Sequence, residues 1–182
     1  MTDTTTAVTY SVDPTHSTAG FKVRHMMVSN VRGEFSGLAG TVVFDPANPA
    51  NSKVETTIDA ATVNTRDDQR DAHLKSADFL NVEQYPKIAF VSKKVEAVGP
   101  AEHTVTGDLT LHGVTKEVTL NVEGPHPEAR DPWGNTRTGA SATTRINRKD
   151  FGLVWNVGLE TGGVLVGEEV QIHLELELVR QP

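Results

Sequence analysis

The chain has 182 residues, of which 37% are hydrophobic and none is cysteine. This length suffices for a single domain spanning residues 1–182, and the lack of cysteine excludes disulfides, thiolate metal sites and a cysteine nucleophile. A formal net charge of −7 argues against a nucleic-acid partner, because neutralising phosphates requires clustered lysine and arginine. Without a signal-peptide pattern or an apolar run long enough to span a membrane, we expect a cytoplasmic protein, or a periplasmic one if a signal was removed.

In chain order, most of the sequence after a short polar tail predicts β-strands. Residues 1–7 form this frayed tail, and the first strand ends at Asp13-Pro14, a pair that favours a turn. Gly37 and Gly40 interrupt a long strand and indicate a bulge or a sharp bend there. The predicted strands cover residues 8–12, 19–24, 33–44, 54–60, 88–98, 105–111, 118–122, 136–146 and 170–179.

One segment, residues 67–80, breaks the strand pattern. Its charged residues recur at helical spacing, and it contains too few β-branched residues for a strand. The pair Tyr85-Pro86 then precedes the return to strand. The sequence therefore predicts a short helical insertion in an otherwise all-β chain.

The last predicted strand indicates how the sheet is built. Its apolar residues, from Val170 to Leu178, alternate with polar ones over nine positions, which is typical of an antiparallel sheet with one buried face. Eight to ten evenly spaced strands favour a closed barrel, because closure removes exposed edges. Any edge left exposed would permit a homodimer. Aromatic residues make up only 5% of the chain. Small side chains leave part of the barrel interior unfilled, which favours a cavity there.

Common motifs of enzymes and metal sites are incomplete in this sequence. Gly162 and Gly167 have the spacing of a phosphate-binding loop, but Glu168 and Glu169 stand where lysine and serine or threonine are required. The histidines lack the paired spacing of metal ligands, so we predict no metal site. We expect His16 to form a local hydrogen bond in a turn. For four other histidines we expect positions in turns or in contact with solvent: His103, His112, His126 and His173.

A mixed polar stripe lies on the predicted helix. Arg66, Arg70 and His73 are spaced by four and three residues, so a helix would place them on one face, beside Leu74. Such a stripe can receive the polar end of an otherwise apolar molecule. The alternative is a solvated face on which neighbouring aspartates compensate the arginines.

Several short motifs follow one another along the chain in a distinctive order. They are Tyr10-x-x-Asp13-x-x-His16-Ser17, Arg70-Asp71-x-His73-Leu74, Tyr85-Pro86-x-Ile88-x-Phe90, Gly107-x-Leu109-Thr110-x-His112-Gly113 and Asp150-Phe151-Gly152-Leu153. In this order and spacing they resemble the YceI-like family of lipocalin-like, polyisoprenoid-binding proteins. The resemblance extends over nearly the whole chain.

The resemblance implies an all-β, single-domain fold: an extended eight-stranded antiparallel β-barrel, with a helix near one end and an elongated apolar tunnel. Family members hold isoprenoid quinone precursors or other long-chain lipids, and many are periplasmic. No catalytic residue is established for the family, so none is assigned here. Leu80 departs from the family pattern, which often has a second aromatic residue at this position.

A polyprenyl or other long-chain lipid is therefore the expected ligand, and no cofactor is expected. Arg66, Arg70 and His73 are the candidates for its polar head group. Alternation along the strands nominates a lining for its tail: Phe21, Val23, Phe35, Phe79, Tyr85, Ile88, Phe90, Leu109, Leu111, Phe151, Leu153 and Trp155.

Two alternatives differ from a lipid carrier in kind. One is an enzyme acting on a hydrophobic substrate, with His73 and Asp71 as an acid–base pair whose pKa values the tunnel would have to perturb. The other is a scaffold whose barrel is filled by its own side chains. Loss of turnover in a His73→Ala variant would identify the enzyme, and failure to take up lipid would identify the scaffold.

Overall fold

The computed structural model describes residues 7–182 and contains eleven strands and one α-helix. The predicted tail, residues 1–7, lies outside the described residues except for Ala7. The elements in chain order are β1 (Val8–Val12), β2 (Thr18–His25), β3 (Ser29–Phe35), β4 (Leu38–Phe44), β5 (Lys53–Asp59), α1 (Asp68–Lys75), β6 (Lys87–Gly99), β7 (Glu102–Leu111), β8 (Val114–Glu123), β9 (Ala129–Arg130), β10 (Thr136–Asn147) and β11 (Val166–Arg180).

The strands close into an eight-stranded antiparallel barrel, as predicted. Strand β11 pairs with β1 near its C-terminal end and with β2 along its N-terminal half, so β1 and β2 together act as one barrel strand. Strands β3 and β4 form a second interrupted strand in the same way. The pairing of β10 with β11 closes the barrel.

Local side-chain hydrogen bonds produce the two interruptions. Between β1 and β2, a carboxylate oxygen of Asp13 accepts from the backbone N–H of Thr15 at 2.9 Å and from its hydroxyl at 2.6 Å. Between β3 and β4, Thr62 Oγ1 accepts from the N–H groups of Ser36 and Gly37 at 3.1 and 3.3 Å. These bonds replace ladder bonds and let one strand bend onto two neighbours.

Helix α1 lies within the predicted insertion. Asp67 caps its first turn by accepting from the N–H of Arg70 at 2.9 Å. The segment just before the helix reaches strand β3, where Asn64 forms an isolated bridge with Glu34. On one side β3 pairs with β2. On its other side the helical insertion takes the place of a further strand at this end of the barrel.

Two histidine predictions have clear outcomes. His16 forms the expected local bond, with Nδ1 3.0 Å from Asp13 Oδ2. The expectation for His103 was wrong: it lies in β7, is 7% exposed, and its Nδ1 is 2.9 Å from the carbonyl oxygen of Gly124. A carbonyl only accepts, so Nδ1 carries the proton.

Candidate functional site

An elongated cavity of about 720 Å³ runs through the barrel interior. Its wall is overwhelmingly apolar, and strand β11 contributes a row from Val166 to Leu178. Twelve residue steps at about 3.3 Å each give roughly 40 Å of strand, or about 30 Å along the axis of a barrel with tilted strands. The cavity is therefore a narrow tunnel, wide enough for one extended hydrocarbon chain.

Two glycines make room for aromatic side chains in the tunnel wall. A Cβ atom on Gly33 would lie 2.4 Å from Cζ of Phe21, and one on Gly107 would lie 2.7 Å from Cζ of Phe90. Each ring therefore lies flat against a neighbouring strand instead of projecting across the lumen. This packing keeps the tunnel open, so the interior is not filled by its own side chains.

The tunnel reaches the surface at the end that carries helix α1. Three lining residues are themselves exposed, and all three lie there: Arg24 at the end of β2, and Asp67 and Gln69 at the start of α1. At the opposite end the lining includes the buried residues Ser52 and His103, and no lining residue there is exposed. These exposed lining residues define a mouth of the tunnel, between the β2–β3 turn and α1.

Three rings cluster just inside the mouth. His73 lies edge-on to Trp155, with ring centroids 4.6 Å apart, and edge-on to Phe79 at 5.0 Å. Phe79 and Trp155 are 5.3 Å apart. Nε2 of His73 lies 2.9 Å from Oδ2 of Asp78, which fixes the imidazole plane. The cluster presents an apolar surface to the tunnel and a polar edge to solvent.

Arg70 is the cation nearest the mouth among the predicted head-group residues. Its Nε donates to the hydroxyl of Thr65 and its Nη2 to the Thr65 carbonyl, both at 2.8 Å. No carboxylate of the described residues lies within ion-pair distance of its guanidinium. The carboxylate of Asp71 binds Thr65 and not Arg70. Its Oδ1 accepts from the N–H of Thr65 at 2.8 Å and from the Thr65 hydroxyl at 2.6 Å.

Twelve of the fifteen predicted site residues line the tunnel: Phe21, Val23, Phe35, Arg70, His73, Phe79, Ile88, Phe90, Leu109, Leu111, Leu153 and Trp155. Arg66, Tyr85 and Phe151 do not. Arg66 is exposed in a left-handed conformation, with φ 64°, before the helix begins. Tyr85 precedes β6 and packs edge-on against His112 at 5.0 Å. Phe151 is 1% exposed and belongs to the solid core beside the barrel end.

Arg148, a charged residue that shapes the mouth, was not among the predicted site residues. It is 3% exposed, and burial lowers the pKa of its guanidinium. Its donors bind the carbonyls of Gly167 at 2.7 Å, Leu153 at 2.6 Å, Trp155 at 3.0 Å and Val166 at 3.2 Å. Arg148 thereby fixes both ends of the loop that carries Trp155 over the mouth.

One group of potential metal ligands lies outside the tunnel, where Asp13, His16 and Glu177 bring ligand atoms within 4.8 Å of one another. Arg137 Nη1 donates to Asp13 Oδ2 at 2.6 Å and to Glu177 Oε1 at 2.7 Å, while its Nε donates to Asp131 Oδ2 at 2.6 Å. The guanidinium thus bridges three carboxylates. The cluster is therefore an ion-pair network between the ends of distant strands.

Comparison with known proteins decides the family. The model of the YceI-like domain matches residues 10–178. The chain belongs to the YceI-like family. Protein YceI of Escherichia coli O157:H7 is 39% identical over 177 residues, which cover 96% of this chain and 88% of that protein. The UPF0312 protein plu2095 of Photorhabdus laumondii is 38% identical, with coverage of 96% and 88%.

Solved structures of YceI-like barrels agree with this assignment. BcnA of Burkholderia cenocepacia matches with a TM-score of 0.74 at 27% identity, covering 91% of this chain and 98% of that one. The YCEI protein of Campylobacter jejuni matches with a TM-score of 0.71 at 31% identity, covering 88% and 91%. A polyisoprenoid binding domain from Saccharophagus degradans shares the fold, with a TM-score of 0.67 at 18% identity and coverage of 96% and 99%.

The helical content bears on membrane insertion. Among residues 7–182, no helix combines the length and the apolar character needed to cross a membrane.

Proposed function

We propose that this YceI-like protein binds one isoprenoid or other long-chain lipid, extended along the barrel tunnel, and holds it without chemical change. The observation that best supports this proposal is the tunnel, which is apolar, about 720 Å³ in volume and open at the end that carries α1. Each Å² of apolar ligand surface removed from water contributes about 25 cal/mol, so a long tail binds tightly with few polar contacts. A polyisoprenoid binding domain with the same fold supports this class of ligand.

The orientation of the ligand follows from where the polar groups lie. The tail would occupy the apolar interior, and the head group would remain at the mouth beside Arg70 and His73. Arg70 suits a carbonyl, hydroxyl or phosphate oxygen, because its guanidinium has N–H donors and no carboxylate partner among the described residues. At the inner end the lining includes His103, whose Nδ1 donates to the carbonyl oxygen of Gly124.

The contacts around the helix argue against the acid–base alternative. Proton transfer between His73 and Asp71 requires hydrogen-bond reach. Asp71 instead accepts two bonds from Thr65, and the carboxylate that contacts His73 is the exposed Asp78. The predicted pairing of His73 with Asp71 is therefore not formed.

Mass spectrometry of an organic extract of the undenatured protein tests this function, followed by titration of the extracted protein with a short-chain ubiquinone. A stoichiometric polyprenyl or acyl species, or saturable one-to-one binding of the quinone, is expected. A clean extract together with no quinone binding would overturn the proposal. In a His73→Ala variant a carrier keeps its bound lipid intact, whereas conversion of the lipid by the wild type alone would indicate an enzyme.

A further inference from the structure

Exposed apolar side chains are concentrated at the mouth end of the barrel. The described part of the chain exposes nine large hydrophobic residues, and six of them lie in two segments. Met26, Met27 and Val28 form the β2–β3 turn, and Val154, Val157 and Val164 lie in the loop between Gly152 and β11. Contiguous exposed apolar surface of this kind is typical of an interaction site.

The two segments form one surface, which we call the tip surface (residues 26–28 and 154–164). The N–H of Met26 donates to the carbonyl of Leu165 at 2.8 Å, and His25 pairs with Val166. A Cβ atom on Gly163 would lie 3.1 Å from Cγ of Met27, so the methionine side chain rests on the loop. Arg148 holds both ends of this loop from below.

The turn between β2 and β3 is built from unfavourable residues. Met26 and Met27 have φ angles of 51° and 63°, and Val28 N–H donates to the His25 carbonyl at 3.1 Å. A hairpin turn with two positive φ angles strongly favours Asn-Gly. Here methionines stand in both positions while their side chains are 45% and 54% exposed. Backbone strain combined with exposed apolar side chains indicates a functional reason for these residues.

Cations lie behind the tip surface on the outside of the same hairpin. Lys22 faces Arg32 across the β2–β3 pair and Gln171 on β11, and Gln171 faces Arg145 on β10. These four residues line one shallow groove. Among the described residues no carboxylate lies within 4.0 Å of Lys22 or Arg32. Arg145 pairs with Glu169 at 3.7 Å, so Lys22 and Arg32 are the two cations of this groove without such a partner, on a chain whose net charge is −7.

We propose that the tip surface docks onto an anionic lipid bilayer. Arg24 lies roughly 7 Å behind Met26 along the strand, and Lys22 lies roughly 13 Å behind it. An apolar tip with cations set back by these distances matches the layers of a bilayer, whose phosphates lie above the acyl boundary. A protein partner would not require this order of apolar and cationic bands.

Docking in this orientation places the tunnel mouth against the membrane. The exposed lining residues Arg24, Asp67 and Gln69 lie beside the tip surface, so lipid would pass between bilayer and tunnel without crossing bulk water. This consequence for cargo transfer rests on the proposed function. The docking itself does not.

Flotation of the full chain with vesicles tests the proposal. We expect binding to phosphatidylcholine vesicles that contain phosphatidylglycerol, weak binding to phosphatidylcholine alone, and loss of binding at high salt. A Lys22→Gln/Arg32→Gln variant should lose about fivefold in vesicle affinity for each cation removed. A Met27→Ser/Val28→Ser variant should lose about tenfold or more, also at low salt.

A turn replacement separates docking from folding. A Met26→Asn/Met27→Gly variant supplies the preferred turn residues, so its melting temperature should stay the same or rise while vesicle binding falls. The matched control, Val98→Ser/Trp133→Ser, removes two exposed apolar residues from the opposite end of the barrel and should bind vesicles as the wild type does. Equal vesicle binding by the turn variant and the wild type would overturn the proposal.

Binding of a soluble short isoprenoid, farnesol, measures ligand binding in the tunnel independently of vesicle binding at the tip surface. Tip variants should bind farnesol as the wild type does, because none of the substituted side chains lies inside the barrel. Failure of wild-type flotation with intact farnesol binding would overturn bilayer docking and leave the proposed function standing. Burial of the tip surface against a protein partner, together with a lack of vesicle binding, would also overturn bilayer docking.

Discussion

Trp155 lies edge-on against His73 at the tunnel mouth, with ring centroids 4.6 Å apart and planes at 87°. The two residues come from different parts of the fold, Trp155 from the loop between Gly152 and β11 and His73 from α1. Their contact joins the loop to the helix across the opening. Any molecule that enters the tunnel here passes this pair and changes the environment of the indole.

The first prediction uses Trp155 as a reporter of occupancy. The chain has two tryptophans, and Trp133 is 82% exposed, far from the tunnel. A Trp133→Phe variant therefore leaves Trp155 as the sole emitter. We expect its emission to shift or change intensity on titration with a short-chain ubiquinone. A Trp155→Phe variant should show no such change, and an unresponsive Trp155 in protein that binds quinone by equilibrium dialysis would contradict entry through this mouth.

The second prediction shortens the tunnel. Ala142 is 4% exposed, lies in the middle of β10 and lines the cavity. An Ala142→Phe substitution places a ring in the lumen and should cut the usable length by about half. We expect affinity for long polyprenyl chains to fall at least about tenfold, whereas farnesol continues to bind.

The control for this experiment is the next residue along the strand. Thr143 faces the outside of the barrel and is exposed. A Thr143→Phe variant should bind both chain lengths as the wild type does, since alternation directs its side chain away from the lumen. Equal binding of long chains by the two variants would show that the ligand does not extend past Ala142.

Alternation explains why so much of the barrel was predictable from the sequence. The period of two in β11 fixes its inward row, and the same rule gives Phe21 and Val23 in β2. The helical insertion was predicted from the helical spacing of its charged residues and its few β-branched residues. In the structure Asp67, where the predicted insertion begins, caps the helix by accepting from the N–H of Arg70. Three of the predicted site residues do not line the tunnel: the head-group candidate Arg66 and the lining candidates Tyr85 and Phe151. All three lie outside regular strands, where alternation does not apply.

The mouth was less predictable, for physical reasons. Met26 and Met27 adopt a turn that their residue types disfavour, so residues 25–32 carried no hairpin signal. Arg148 has the sequence context of a surface residue, in Asn147-Arg148-Lys149-Asp150. Its partners are backbone carbonyls of a loop. Every residue has a backbone carbonyl, so no residue type in the sequence indicates these contacts.

The third prediction concerns that loop. Replacing Arg148 by methionine keeps the length of the side chain but leaves the carbonyls of Leu153, Trp155, Val166 and Gly167 without their donor. Losing a buried charged donor should lower the free energy of unfolding by roughly 3 kcal/mol. Limited proteolysis should then cut within residues 153–166 first. A Lys149→Met variant, which loses only an exposed ion pair with Glu168, should resist the protease as the wild type does.

The fourth prediction concerns the network around Arg137 and its dependence on pH. Hydrogen bonding to Arg137 lowers the pKa of Asp131 from its ordinary 3.8 to about 2. Hydrogen bonds from Thr15 and then from Arg137 hold the pKa of Asp13 still further below its usual range. Because both pKa values are depressed in the folded state, the stabilisation is present above the unfolded value. It is lost as pH falls through the folded values.

An Arg137→Met variant removes the part of this stabilisation that Arg137 supplies and leaves Asp13, Asp131 and Glu177 to repel one another. Its free energy of unfolding should therefore be lower than that of the wild type at pH ~7, and the gap should narrow as pH falls from ~4 toward ~2. Urea unfolding at several pH values measures this gap. A Lys94→Met variant, which breaks one exposed ion pair with Glu96, should differ little from the wild type throughout. A gap for Arg137→Met that stayed constant with pH would mean that its guanidinium acts through packing and not through the two aspartates.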